Sequence, residues 1–206
     1  MTANLPRVVL GGWNDINTAA DLIAEAFTTL AVAQWLVPAP TRRSRVLRDQ
    51  MAILFEHALF NGRVDLLDDR SGVAVWFDRS RPVGPPRDYD QRLRAVCGED
   101  TTRFVELDTL LDAHHPHGWA HHHLALLAVA PALQCTGRGG VLLRHGHAVA
   151  DQAGLPTYLD ASSPGSRDLY LRLGYRPGEP FHLPDGPPFW PMRRPATRPV
   201  GRDPGS

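Results

Sequence analysis

The stretch "LAVAPALQCTGRGG", Leu127 to Gly140, constrains the fold more than any other in the chain. It is an apolar run, a proline, a glutamine and then a glycine-rich turn. The turn opens into "VLLRHGHAVADQAG", where Leu142, Gly146, Val149 and Ala153 repeat at helical spacing. A strand that enters a glycine turn and leaves as a helix points free backbone N–H groups and the positive end of the helix dipole at one spot, which favours an anion. The turn lacks the lysine and Ser/Thr of a Walker A loop. It is also a poor dinucleotide fingerprint, because the spacing falls one glycine short and the turn comes late in the chain.

The rest of the chain is punctuated in a way that places this unit inside one mixed α/β domain. "RVVLGGW" reads as a first strand. Asn14 or Asp15 can cap a helix over "INTAADLIAEAFTTLAVAQWL", in which Ile16, Ala19, Ala20, Ile23 and Phe27 share a face, before Pro38 and Pro40. A second helix is expected from about Thr41 to Phe60, ending at the turn pair Asn61–Gly62. "RVDLLDD" and "GVAVWFD" read as two strands joined tightly. A long helical region is expected from Tyr89 to Ala113. "WAHHHLALLAVA" is the longest strand candidate, "PTYLDAS" is another, "GSRDLYLRL" is a short helix ending at Gly174, and two late strands lie near "YRPGEPFHL" and "PFWPMRR". Residues 1–194 form the domain. The tail, residues 195–206, is rich in proline, glycine and arginine and is expected to be disordered.

Charge and cysteine use narrow the function classes. The net charge is +0, which argues against a dedicated nucleic-acid binder. No apolar run approaches a membrane span, and the start of the chain does not read as a signal peptide. Two cysteines, Cys97 and Cys135, make no disulfide framework, so a reducing cytoplasm is expected. Every basic residue is arginine. The dense cluster Arg42, Arg43, Arg45 and Arg48 reads as a solvated helix start or as a dock for an acidic partner or a nucleotide phosphate.

The segment Gln134–Gly140 fits Q-x-x-G-x-G and resembles motif A of the GNAT acetyltransferase superfamily. "LDASSPGSRDLYLRLGYRP" is similar to that family's second motif, P-x-N-x-x-x-Y-x-x-L-G-F. "GVAVWF", "LLDAHHPHG", "AGLPTYLDASSP" and "LPDGPPFWPM" resemble its puromycin-acetylating branch, and the likeness spans Ser71 to Arg194. The resemblance implies a GNAT-like domain with a central, mostly antiparallel, splayed sheet flanked by helices. It implies an acyltransferase in which acetyl-CoA or another acyl-CoA is the donor and a small-molecule amine, an antibiotic or natural-product intermediate, is the acceptor. Main-chain groups of Leu127 and Val129 would pair with pantetheine. Backbone N–H groups of Gln134, Cys135, Thr136, Gly137, Arg138, Gly139 and Gly140 would hold pyrophosphate, with Cys135 standing in for a small residue.

The chain departs from the family at two positions. Thr136 stands where a basic residue is usual, and Ser166 stands in place of the asparagine. Both changes favour, as an alternative donor, an acyl group on the phosphopantetheine of an acidic carrier protein. A non-catalytic ligand- or partner-binding relative is the second alternative. Neither nucleic acid nor membrane is expected as a partner, and the state is monomer or homodimer.

Acyl transfer to an amine needs a base, oxyanion donors and a proton for the leaving thiolate. By the resemblance, Tyr170 is the acid, the Val129 N–H is the oxyanion donor, and His123, eleven residues before Gln134, stands at the base position. His121 shares its face and His122 points the other way. Glu106 and Asp108 are fallback bases. Trp35, Trp76 and His121 are expected at the acceptor, with Phe55, Phe77 and Trp119 as further aromatic candidates. His-x-His on a strand can hold zinc, with His114 or His117 folding back onto it, but no cysteine lies near the histidine cluster "HHPHGWAHHH" and no carboxylate lies within it, so no metal is expected.

Overall fold

The structure is a computed structural model and describes residues 5–197. Eight strands form one sheet: seven follow the order β1-β2-β3-β4-β5-β8-β6, and β7 pairs with β8 off this path. They are β1 (Val8–Leu10), β2 (Arg63–Leu67), β3 (Gly72–Asp78), β4 (His122–Val129), β5 (Thr157–Ala161), β6 (Arg176–Pro177), β7 (Phe181–His182) and β8 (Pro188–Arg194). Every pairing is antiparallel except β4 with β5. That parallel step needs a crossover. It is supplied by the glycine turn and α6 (Arg138–Gln152). Among the described residues no helix is long and apolar enough to cross a membrane.

Helices cover both faces of the sheet. On one side lie α1 (Ile16–Phe27) and α3 (Pro40–Asn61), with α2 (Ala31–Leu36), α4 (Tyr89–Cys97) and α5 (Thr101–His114) beyond them. On the other lie α6 and α7 (Pro164–Arg172). Strand β3 is buried from Gly72 to Phe77 on both faces, so it reads as a continuous apolar run rather than an alternating one. Gly146, in the middle of α6, would ordinarily weaken a helix. Here a Cβ would fall on the Trp76 ring, so the glycine is what lets α6 lie directly on β3.

Two expected helices are broken. The first stops at Phe27 and resumes as α2, because Leu30 takes an extended backbone (ψ 145°) after the β-branched pair Thr28–Thr29. The second stops at Cys97, where Gly98 (φ 58°) turns the chain into α5. Asp15 precedes α1, but its carboxylate accepts from the Gly12 N–H at 2.9 Å and pairs with Arg70 at 3.0 Å instead of capping the helix. Of the expected disordered tail, Pro195–Thr197 are described, and Thr197 donates to the Asp151 carboxylate from both its N–H and its hydroxyl at 2.8 Å. The remainder lies outside the described residues.

A buried histidine gives the fold a pH dependence. His147 on α6 is 6% exposed and its Nε2 lies 3.0 Å from the Tyr175 hydroxyl. Burial holds its pKa down at about 4, with Arg194, Arg144 and His122 in the same direction and Asp151 opposing. The unfolded imidazole titrates near 6.5. Between those values the unfolded chain takes a proton that the folded chain refuses, so this contribution is complete above pH 6.5 and falls away down to pH 4. The expected loss is on the order of 3 kcal/mol. Urea unfolding of wild type and His147→Asn at pH 7 and pH 5 checks it: the stability gap between the two pH values should narrow in the variant.

Candidate active site

Strand β4 carries the site because it changes phase partway along. Its register with β3 runs His122↔Asp78, His123↔Phe77 and Leu124↔Trp76, then resumes at Leu126↔Val75, leaving Ala125 as a bulge. The bulge places His121 and His123 on the same face as Leu126 and Ala128, toward α1 and α3. Leu124 and Leu127 face α6. His122 also points that way, stacked on Trp76 at 4.9 Å.

Beyond the bulge β4 has a free edge. β4 and β5 pair at His122↔Thr157 and His123↔Tyr158 and then separate. On the other edge the Ala130 N–H donates to the Ser71 carbonyl at 2.9 Å. Bonded pairs alternate in an antiparallel ladder. With this register, Ala128 and Leu126 bond to β3, and the N–H and C=O of Leu127 and Val129 point into the gap. The Val129 carbonyl accepts there from the Gln134 side chain at 3.2 Å.

The glycine turn closes one end of the gap. Cys135 (φ 60°) and Gly137 (φ 91°) both take the left-handed backbone, which presents successive N–H groups at the start of α6. This conformation is why a non-glycine residue is strained at position 135. Cys135 is exposed. Arg138 faces away from the turn's mouth: its guanidinium donates to Ser71 Oγ at 3.0 Å and Thr136 Oγ1 at 2.9 Å, and pairs with Asp69 at 3.3 Å. The cation over the turn is Arg144, one helical turn on, beside Gly140 and on the cleft wall. No sequence motif marks Arg144.

Across the gap, Ser163 caps α7 and its hydroxyl meets that of Ser166 at 2.9 Å. Tyr170, 7% exposed, lines the same cleft, and burial raises its pKa above the phenol range. The cleft has a volume of about 1620 Å³ and passes from α7 and the glycine turn through to α3, α4 and α5.

On that far side it meets a cluster of titratable groups. His115 Nε2 lies 3.2 Å from His121 Nε2, and the His115 and His123 ring centroids are 4.8 Å apart. Burial, then neighbouring His121, holds His115 at about 4, and burial holds His123 well below its ordinary value. Both imidazoles are therefore neutral near pH 7. Burial raises Asp160 to about 6, although the Tyr158 hydroxyl donates to it at 2.8 Å. Asp108, to which Tyr89 donates at 2.8 Å, is likewise raised to about 6 by burial.

The sequence expectations fare unevenly. Leu127, Val129, Gln134, Cys135, Gly137, Gly139, Gly140, Ser166, Tyr170, His121 and His123 all line one cleft, as do Phe77, Trp119 and Asp108. Trp76 and Phe55 do not: both are 0% exposed, in the cores under α6 and α3. Trp35 does not reach it either, since its Nε1–H donates to the Pro184 carbonyl at 2.8 Å and Arg103 covers its ring. The arginine cluster is not a free cationic face. Arg42 pairs with Glu99 and Asp100, Arg45 with Asp49, and Arg48 with Asp21 and Asp49, while Arg43 donates to the carbonyls of Val37 and Pro38. His115, Tyr158, Asp160 and Arg144 are site residues that sequence reasoning did not single out.

A parallel strand pair that parts beyond its first residues, with a glycine turn and helix at the mouth of the opening, defines an acyltransferase fold of the GNAT type. Solved structures agree. The histone acetyltransferase HPA2 and related acetyltransferase from Corynebacterium glutamicum matches at TM-score 0.72 and 28% identity, over 96% of this chain and 100% of that one. Arylalkylamine N-acetyltransferase 2 from Aedes aegypti matches at TM-score 0.65 and 11% identity, over 94% and 100%. The C-terminal condensation domain of Ebony, in complex with beta-alanyl-dopamine, matches at TM-score 0.63 and 17% identity, over 93% and 100%. No protein-family model matches the chain. The chain has the GNAT fold, and its similarity to these acetyltransferases supports an acyltransferase of that class.

Proposed function

We propose that the chain transfers an acyl group, acetyl in the simplest case, from a coenzyme A thioester to the amine of a small molecule. The observation that carries this is the free edge of β4: two main-chain amides open to a gap, headed by left-handed turn residues, with a walled cavity beyond the bulge. The residues fit the donor. Gly139 borders the gap beside Leu127, Val129 and Leu169, the turn N–H groups suit pyrophosphate, and Arg144 supplies the cation that Thr136 lacks. The thioester supplies the activated acyl group, and the protein supplies position, an oxyanion donor and proton transfer. The Val129 N–H stabilises the developing oxyanion. Tyr170, kept protonated by burial, gives its proton to the departing sulfur. His123, directly or through an ordered water, takes the proton from the amine.

The acceptor end has apolar walls at Leu54, Phe77 and Leu126, and Asp108 and Asp112 also line it. That combination suits an aryl or alkyl amine, in keeping with the arylalkylamine named for the Aedes relative. An antibiotic or natural-product amine falls in this class. One observation favours a second donor: with Thr136 in the turn and Arg138 tied to Asp69 and Ser71, the turn itself offers no free cation. A carrier-protein phosphopantetheine has no adenosine phosphate to need one.

Thermal unfolding with acetyl-CoA, 3′-dephospho-coenzyme A and an acylated carrier protein tests the reading. A ligand at about 100 times its Kd stabilises by about 2.7 kcal/mol. Stabilisation by acetyl-CoA supports it. Stabilisation by the acylated carrier protein alone replaces it with the second donor, and no shift with any of the three refutes both.

A further inference from the structure

We propose that His115, His123 and Asp160 form a binding site for a divalent transition-metal ion of the zinc class. One donor atom from each residue lies within 4.8 Å of the others. The three come from separate segments, namely the loop after α5, β4 and β5, so the cluster is built by the tertiary fold. Tetrahedral zinc with ligands at about 2.0–2.1 Å holds its donors a little over 3 Å apart, so side-chain adjustments of about an ångström close the set. Two imidazoles and a carboxylate are a donor set for zinc, cobalt or ferrous iron, not for calcium or magnesium.

Two further observations point to a ligand. His123 Nδ1 is buried and has no hydrogen-bond partner among the described residues, an orphan in a site otherwise well supplied with contacts. The carboxylate is already oriented: Asp160 Oδ1 accepts from Tyr158 at 2.8 Å, and His121 steadies the His115 ring at 3.2 Å. Such supporting contacts are what hold metal ligands in place. All three donors line the cleft, so a fourth coordination position is open to it.

The consequence rests on the proposed role of His123. An ion on these donors takes the lone pair that would receive the amine proton, so the metal and acyl transfer are mutually exclusive, and zinc is a reversible inhibitor.

The full-length protein, stripped with chelator and titrated with Co²⁺, is expected to develop visible d–d absorption that saturates at one ion per chain and is displaced by Zn²⁺. Asp160→Asn and His115→Gln, near-isosteric changes whose folding is checked by circular dichroism, should each weaken Co²⁺ binding at least about tenfold. His117→Ala, an exposed neighbour, should not. Absence of saturable binding, or unchanged affinity in both ligand variants, overturns the site. The spectrum does not depend on catalysis, so bound Co²⁺ in a protein that transfers no acyl group leaves the site standing and removes the reading of function. With transfer established, inhibition by Zn²⁺ that chelator reverses and His115→Gln blunts supports the exclusion. Full activity at saturating Zn²⁺ overturns it.

Discussion

Tyr170→Phe is expected to lower kcat for acyl transfer by about 10²- to 10⁴-fold, the usual contribution of a positioned proton donor. The ring, on α7, is 7% exposed and packs in the core with α6 and the sheet, so removing one oxygen leaves the packing intact. Burial, with neighbouring Tyr175 acting in the same direction, raises the phenol above its ordinary range, so it is protonated at any working pH and can donate. A thiol is more acidic than a phenol in water, about 8.5 against 10, so the transfer must be favoured by the cleft's exclusion of water from the departing sulfur. Thermal stability and donor affinity should change little, which separates a lost proton from a lost fold. A variant that keeps the wild-type kcat removes Tyr170 from the chemistry.

The second large effect is on stability. Asp65 in β2 is 0% exposed, and burial raises its pKa while Arg63 and His145 oppose the rise. Arg63 Nε donates to it at 2.7 Å, and Arg63 also reaches His145 Nε2 at 2.8 Å. Asp65 Oδ2 has no partner among the described residues. Taking away the arginine leaves a buried carboxylate without its counter-ion, and Arg63→Ala should cost about 3–5 kcal/mol. That is a large share of a typical domain's 5–15 kcal/mol. Asp65→Leu together with Arg63→Leu should cost less than Arg63→Ala alone, because no charge is then stranded. Urea unfolding with an unchanged m-value measures both. If the double variant is the less stable, the pair contributes more than its desolvation takes away.

The glycine turn and the strand and helix around it, the proposed donor half of the site, were legible because they are local. Gln134 to Gly140 is one turn, and its positive-φ positions, apolar strand and following helix all lie within some thirty residues. Tyr170 and Ser166 follow at fixed spacing on one short helix. The other half is assembled from a distance: Asp160 reaches His115 and His123 through a crossover, and no spacing rule connects them. Trp76 misled because β3 is buried on both faces, so an aromatic there carries no sign of whether it faces core or cleft. The arginine run misled for a different reason. Its acids sit on α1, on α3 itself and in the turn after α4, and a linear reading of charge cannot see that pairing. The broken helices near Thr28 and Gly98 were signalled by a β-branched pair and a glycine, but apolar periodicity on either side outweighed them.

The bulge at Ala125 has an evolutionary consequence. It cuts β4 into two segments with independent side-chain phase: His121 and His123 before it share a face with Leu126 and Ala128 after it, while beyond it the main-chain N–H and C=O of Leu127 and Val129 turn to the open edge. On the proposed function the donor is held there by main-chain groups, and the side chains of Leu126, Leu127 and Ala128 answer to core packing instead. The histidine segment can exchange side chains without re-registering the strand, so on the proposed function the acceptor can change while the source of the acyl group stays the same.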